Sequence, residues 1–173
     1  MQRRLIAVAL FLCSLAAPSA ALSAQTNVNI TAGVAEPVKD LGDAADLGYH
    51  VAAGLNFGGT RLPIGARIEG ALNGFNLNGL DESVRVWNVT ANAVLNLTQR
   101  PDSPYLIGGL GWYESKFGQA AYEGAVGVNL GGGLRFPVGQ LTTFFETRYH
   151  AMLGESGRGA NLQFIPITFG VVF

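Results

Sequence analysis

Charge is what this chain has least of. Only 13% of its 173 residues are Asp, Glu, Lys or Arg, about half the share of an ordinary soluble domain. The net charge is −1 and no basic cluster stands out, so nucleic acid is not an expected partner. Cysteine occurs once, at Cys13, and histidine twice, at His50 and His150. Neither a disulfide framework nor a thiolate site is available once Cys13 leaves with a leader. Two histidines are a poor basis for a metal centre, and no metal or cofactor is expected. Long apolar runs are missing too: none reaches the ~18 residues of a membrane-spanning helix. The helix formers Lys and Glu are scarce. Glycine is abundant, at 24 residues, and hydrophobic residues make up 49%. That mixture favours strands and turns over helices.

Residues 1–24 read as a cleaved signal peptide. Arg3 and Arg4 supply the positive start and Leu5–Leu12 a short apolar core. Ser19-Ala20-Ala21 or Leu22-Ser23-Ala24 offers small residues for cleavage. Cys13 follows Leu12 inside that core, which argues against a lipid anchor. Cleavage would leave 9 basic residues against 12 acidic ones, in one exported domain over 25–173.

Within that domain apolar residues recur with period two. Strand one, 27–34, sets Val28, Ile30, Ala32 and Val34 on one face. Strand two, 49–57, opposes Tyr49, Val51, Leu55 and Phe57 to His50 and Asn56. Strand three, 64–73, opposes Ile64, Ile68 and Leu72 to Arg67, Glu69 and Asn73. Strand four, 87–97, opposes Trp87, Val89 and Leu95 to Asn88, Thr90, Asn92 and Asn96. Strand six, 126–136, opposes Val128, Leu130 and Phe136 to Asn129, Arg135 and three glycines. Strand seven, 143–151, opposes Phe145, Thr147 and Tyr149 to Glu146, Arg148 and His150. The last strand alternates Ile165, Ile167, Phe169, Val171 and Phe173 with Pro166, Thr168 and Gly170. Pro166 would lose a ladder hydrogen bond and calls for a bulge or an outward-pointing amide there. Strand five, 105–114, is undecided: Leu106, Leu110 and Trp112 compete with Tyr105, Ile107 and Tyr113. Loops are expected at 36–47, 76–83, 115–123 and 154–161, and turns at 58–60, 99–104 and 137–140.

This is an all-β chain of eight strands, each close to the ~9–11 residues with which a tilted strand crosses a bilayer. The expected architecture is an eight-stranded antiparallel up-and-down transmembrane β-barrel, the smallest usual size. With both termini on one side, Tyr49, Trp87, Trp112, Tyr113 and Tyr149 fall at one rim. Phe57, Tyr105, Phe136 and Phe173 fall at the other. Two aromatic belts suit two membrane interfaces.

The runs Gly48-Tyr49-His50-Val51, Pro104–Gly111, Glu146–His150 and Phe164–Phe173 resemble the small OmpA/OmpX/opacity-type outer-membrane β-barrels over the whole domain. The resemblance implies a bacterial outer-membrane location and contact with outer-membrane lipid and lipopolysaccharide. It also implies that Phe169, Val171 and Phe173 form the signal read by the barrel-assembly machinery. No peptidoglycan-binding domain of the kind in full-length OmpA is expected to follow, and a monomer is expected. The family is functionally mixed, so the resemblance is specific for fold and location rather than for activity.

The polar faces collect Arg67, Glu69, Arg135, Glu146, Arg148 and His150, with His50 as a further candidate. Inside so small a barrel they are read as an interior polar network that plugs the lumen; a narrow gated pore is the sharper alternative. No catalytic residue is expected. Met152 stands where a His-x-Ser pattern starting at His150 would need serine, and Gly131-Gly132-Gly133 lacks the Lys-Ser/Thr of a phosphate loop. The acidic loops, with Glu36, Asp40, Asp43 and Asp46 in one and Asp81 and Glu82 in another, are read as solvated tips. The role implied is structural or surface-interactive, in envelope integrity or adhesion. The competing reading is a soluble exported calyx with an apolar ligand, which would turn its Leu, Ile and Val inward.

Overall fold

A sheet with one apolar and one polar face can satisfy both by closing on itself. The computed structural model describes residues 26–58, 62–79, 82–154 and 162–173, and there the sheet closes. Its strands are β1 (Thr26–Val38), β2 (Gly48–Phe57), β3 (Ile64–Asn76), β4 (Ser83–Asn96), β5 (Pro104–Phe117), β6 (Glu123–Val138), β7 (Leu141–Leu153) and β8 (Gln163–Val172). A short helix, α1 (Asp40–Ala44), lies between β1 and β2. Each strand pairs antiparallel with its chain neighbours, and β1 pairs with β8 from Asn29↔Val172 to Val38↔Gln163. No edge remains to recruit another strand. The expected signal peptide lies outside the described residues, as do Gly59-Thr60, Asp81 and 155–161 of the last loop.

The apolar face points outward. Leu130 is 68% exposed and Leu110 64%, whereas Arg67, Glu69 and Glu146 are each 1% exposed. A calyx would have these reversed. A continuous apolar coat of this extent is stable against lipid, not against water. Detergent-folded protein is therefore expected to migrate faster on a gel before boiling than after; equal migration would contradict the closed, detergent-coated barrel.

Several strands reach further than the alternation predicts. β1 continues through Glu36 and Pro37, with Ala35 and Pro37 buried, so these residues are strand rather than loop. Beyond it the chain turns at Lys39, with φ 53°, into α1, which drops Leu41 into the barrel mouth. An amide–carbonyl pair, Asp46 N to Asn76 O at 2.9 Å, and the bridge Ala45↔Leu77 pin this connection to the β3–β4 connection.

The faces of β5 are fixed by its partners. Asn96↔Tyr105, Val94↔Ile107 and Asn88↔Tyr113 align it with inward residues of β4. Tyr105 and Tyr113 are thus buried inside, not members of the aromatic belts. Tyr49 and Trp112 do face outward at one rim, and Phe136 and Phe173 at the other.

Pro166 needs no bulge. The β7–β8 ladder runs to Thr147↔Ile167, skips Arg148 and Tyr149, and resumes at His150↔Phe164 in the same register. The missing amide leaves a gap on the β7 side, while Ala35↔Pro166 keeps the β1 side paired.

Candidate functional site

The interior is the chemically distinctive part of the molecule. Arg67 and Glu69 on β3 stand two apart, as do Glu146 and Arg148 on β7. Spacing by two puts each pair on the inward face, and β3 and β7 lie on opposite sides of the eight-stranded ring. The four side chains meet across the lumen. Arg67 Nη1 lies 2.9 Å from Glu146 Oε2 and 3.6 Å from Glu69 Oε2. Arg148 Nε lies 2.9 Å from Glu146 Oε1, and its Nη2 donates to Glu69 Oε1. Tyr105 Oη donates to Glu146 Oε2 at 2.5 Å, and Arg67 Nε to Asn56 Oδ1 at 2.8 Å. The quartet carries two charges of each sign. At such burial each charge would be costly alone, and mutual pairing offsets that cost.

Glycine makes room for it. Gly131 is the cross-strand partner of Arg148, and a Cβ placed there would run into the Thr147 backbone oxygen and stand 2.6 Å from the Arg148 Cα and 2.7 Å from its Cγ. Gly131→Val is expected to push β6 and β7 apart at this pair, displace Arg148 and lower the urea midpoint, because the new side chain meets backbone as well as the arginine stem.

Arg135 stands apart from the quartet, nearer the end that carries the termini. Its Nη1 donates to Asn96 Oδ1 at 2.5 Å, and its guanidinium lies 4.2 Å from the Tyr105 ring centre. His150 lies toward the far end. Its Nδ1 is 2.8 Å from Tyr113 Oη and its ring stacks on Phe164 at 5.0 Å. His50 Nδ1 is 2.7 Å from Asn73 Oδ1, which opens a chain through Asn73 Nδ2 to Asn88. Four of the six polar residues singled out in the sequence thus form one ionic group, and Arg135 and His150 belong to separate layers. Phe169 and the half-buried Val171 belong to the outward series of β8, and Phe173, just beyond its end, is exposed. Tyr113→Phe removes the partner of a buried histidine nitrogen and is expected to cost about 1 kcal/mol in urea unfolding.

Alternation did not single out the far end. Ala35, Leu41, Phe75, Val84, Val86, Tyr113, Met152, Leu162 and Phe164 form a buried apolar cluster across it. Most of these side chains belong to inward positions beyond the expected strand ends. The signal for them was weak, since strands written to their full length would have continued the inward series Asn73-Phe75 and Val84-Val86.

Three solved barrels share this arrangement of strands. Neisserial surface protein A superposes with a TM-score of 0.67 at 17% identity, covering 85% of this chain and 95% of that one. The N-terminal β-barrel domain of Pseudomonas aeruginosa OprF gives 0.53 at 13% identity, covering 87% and 99%. Ail, the attachment invasion locus protein of Yersinia pestis, crystallised with the heparin analogue sucrose octasulfate, gives 0.50 at 22% identity, covering 86% and 99%. No curated protein matches the chain by sequence. The family model of the outer membrane protein β-barrel domain matches residues 5–173. With its lipid-facing coat and closed eight-stranded wall, the chain belongs to that family and resides in the bacterial outer membrane.

Proposed function

We propose that this protein is a closed barrel whose work is done at its surface: it stabilises the envelope and presents its far rim to lipid and to partner molecules. The observation that carries this reading is the filled lumen. The ionic quartet crosses its middle and the apolar cluster with Leu41 of α1 crosses its far end. These are two seals in series, and a through-path for solutes would have to open both.

The rim offers matching chemistry. With the termini in the periplasm, the far rim is the cell exterior. Arg85 and Lys116 are cross-strand partners on the outward face there, two pairing steps beyond the aromatic Trp87. Neighbouring cations at headgroup depth suit the phosphates of lipopolysaccharide. Ail, a relative in fold, takes a sulfated heparin analogue, and a similar anionic surface ligand fits the same pair. The outward Phe169, Val171 and Phe173 fit the role of assembly signal, and a monomer without catalytic activity fits the whole. Both histidines are 1% exposed inside the wall, with Asn73 and Tyr113 as their partners, which gives neither an acyl-transfer pair nor access to substrate.

Planar-bilayer recording tests the reading. The unaltered protein is expected to stay silent, and so is Arg148→Ala, because the apolar cluster remains. Steady unit conductance in the unaltered protein would overturn the closed-barrel proposal.

A further inference from the structure

We propose that the end of the barrel carrying the termini holds a binding site for a small oxyanion, a phosphate or carboxylate group, with Arg135 as its anchor. This stands independently of what the far rim contacts.

Charge balance is the first argument. The inward face carries Arg67, Arg148 and Arg135 against Glu69 and Glu146. Both carboxylates are consumed by Arg67 and Arg148. Among the described residues no carboxylate lies within ion-pair distance of Arg135. Among the described residues its side-chain hydrogen bond goes from Nη1 to Asn96, and one face rests on Tyr105. Nε and Nη2 have no hydrogen bond to a described residue, and a guanidinium fork is matched by the paired oxygens of a phosphate or carboxylate.

Shape is the second. Arg135 lines a cavity of about 370 Å³ that opens at this end, many times the ~30 Å³ that one water occupies. Asn27, Asn56, Gln140 and Thr142 share the lining, which adds amide and hydroxyl groups to the cavity wall; Asn56 is already engaged with Asn29 and Arg67. Arg67 also borders the cavity, though Glu146 already holds it. Phe173, also in the lining, is tied to β1, its backbone oxygen accepting from Val28 N at 3.2 Å and its amide donating to Val28 O at 2.8 Å.

The third is access. The quartet and the apolar cluster close the lumen above, so this cavity is reached from the periplasm, not from outside. Its ligand is either a dissolved oxyanion of that compartment or the headgroup phosphate of an inner-leaflet lipid. The chemistry at Arg135 is the same in both.

The test follows the Arg135 side-chain Nε–H resonance in the full folded barrel. Inorganic phosphate is titrated in zwitterionic detergent, and nanodiscs of phosphatidylcholine alone are compared with nanodiscs containing phosphatidylglycerol. The site predicts a saturable shift. Arg135→Gln, followed through the neighbouring Tyr105 and Asn96 signals, weakens binding about tenfold or more. Arg135→Lys retains part of it, and Lys39→Gln at the opposite end leaves it unchanged. Heat-modifiable migration shows that each variant is folded. Saturation by free phosphate with no response to phosphatidylglycerol assigns the site to a dissolved anion; a response to phosphatidylglycerol that phosphate competes away assigns it to a headgroup. No saturable shift under any condition, or unaltered affinity in folded Arg135→Gln, overturns the proposal.

Discussion

Replacing Glu146 by alanine is expected to lower the unfolding free energy of the folded barrel by about 3–5 kcal/mol. Glu146 takes charge from Arg67 and Arg148 and a hydroxyl from Tyr105. Its removal strands two guanidinium groups that are 1% and 2% exposed, with Glu69 alone to share between them. The cost is that of an uncompensated buried charge rather than the net value of one ion pair. A second expectation follows. Replacing the whole quartet with apolar residues of similar volume, Arg67→Met, Glu69→Leu, Glu146→Leu and Arg148→Met together, is expected to recover most of the loss, because no charge is then left without a partner. Urea unfolding in lipid vesicles measures both. A loss under ~1 kcal/mol for Glu146→Ala, the value of an exposed pair, would mean that water reaches the quartet.

Leu110→Arg is expected to cost about 2–4 kcal/mol in the same vesicles. Leu110 stands at mid-length of β5, opposite Ala91 at mid-length of β4, with 64% of its surface turned outward. In water such an exchange would be harmless, since an exposed Leu gains nothing from its position. In a bilayer the guanidinium is driven into hydrocarbon. The dependence on depth is the sharper readout: Leu141→Arg, at the start of β7 near the terminal rim, is expected to cost ~0–1 kcal/mol. Equal costs at the two positions would contradict the orientation of the barrel in lipid.

Most of the wall was legible in the sequence, and the reason is physical. An eight-stranded barrel buries one face of every strand, so a slip of one residue would put Arg67 or Arg148 into lipid. That penalty is written into residues 64–73 and 143–151 as clean alternation. Legibility failed where the penalty was absent. β5 carries large side chains on both faces, so Tyr105 and Tyr113 are distinguished from Leu106 and Trp112 only by the neighbours they meet. The far ends of β1, β3 and β4 turn apolar side chains inward, where Ala35, Phe75 and Val84 look like the start of a loop. The six polar residues could be read as inward-facing. Their division into an ionic quartet, a solitary Arg135 and a histidine layer could not, because it depends on strand stagger, which sets the height of each side chain in the lumen. Leu41 gave no local signal at all: a five-residue helix folded into a mouth is decided by what it covers.

The skipped pairs beside Pro166 bear on how this cylinder comes apart. The join between the two chain ends is unbroken over Asn29–Val38, whereas the join one strand inward is missing Arg148 and Tyr149. Breathing motions should therefore begin between β7 and β8, and the first and last strands should peel away as a single ribbon. In deuterated buffer, the amides flanking that interruption would lose their protons early, well before those that stitch Ala32 to Phe169.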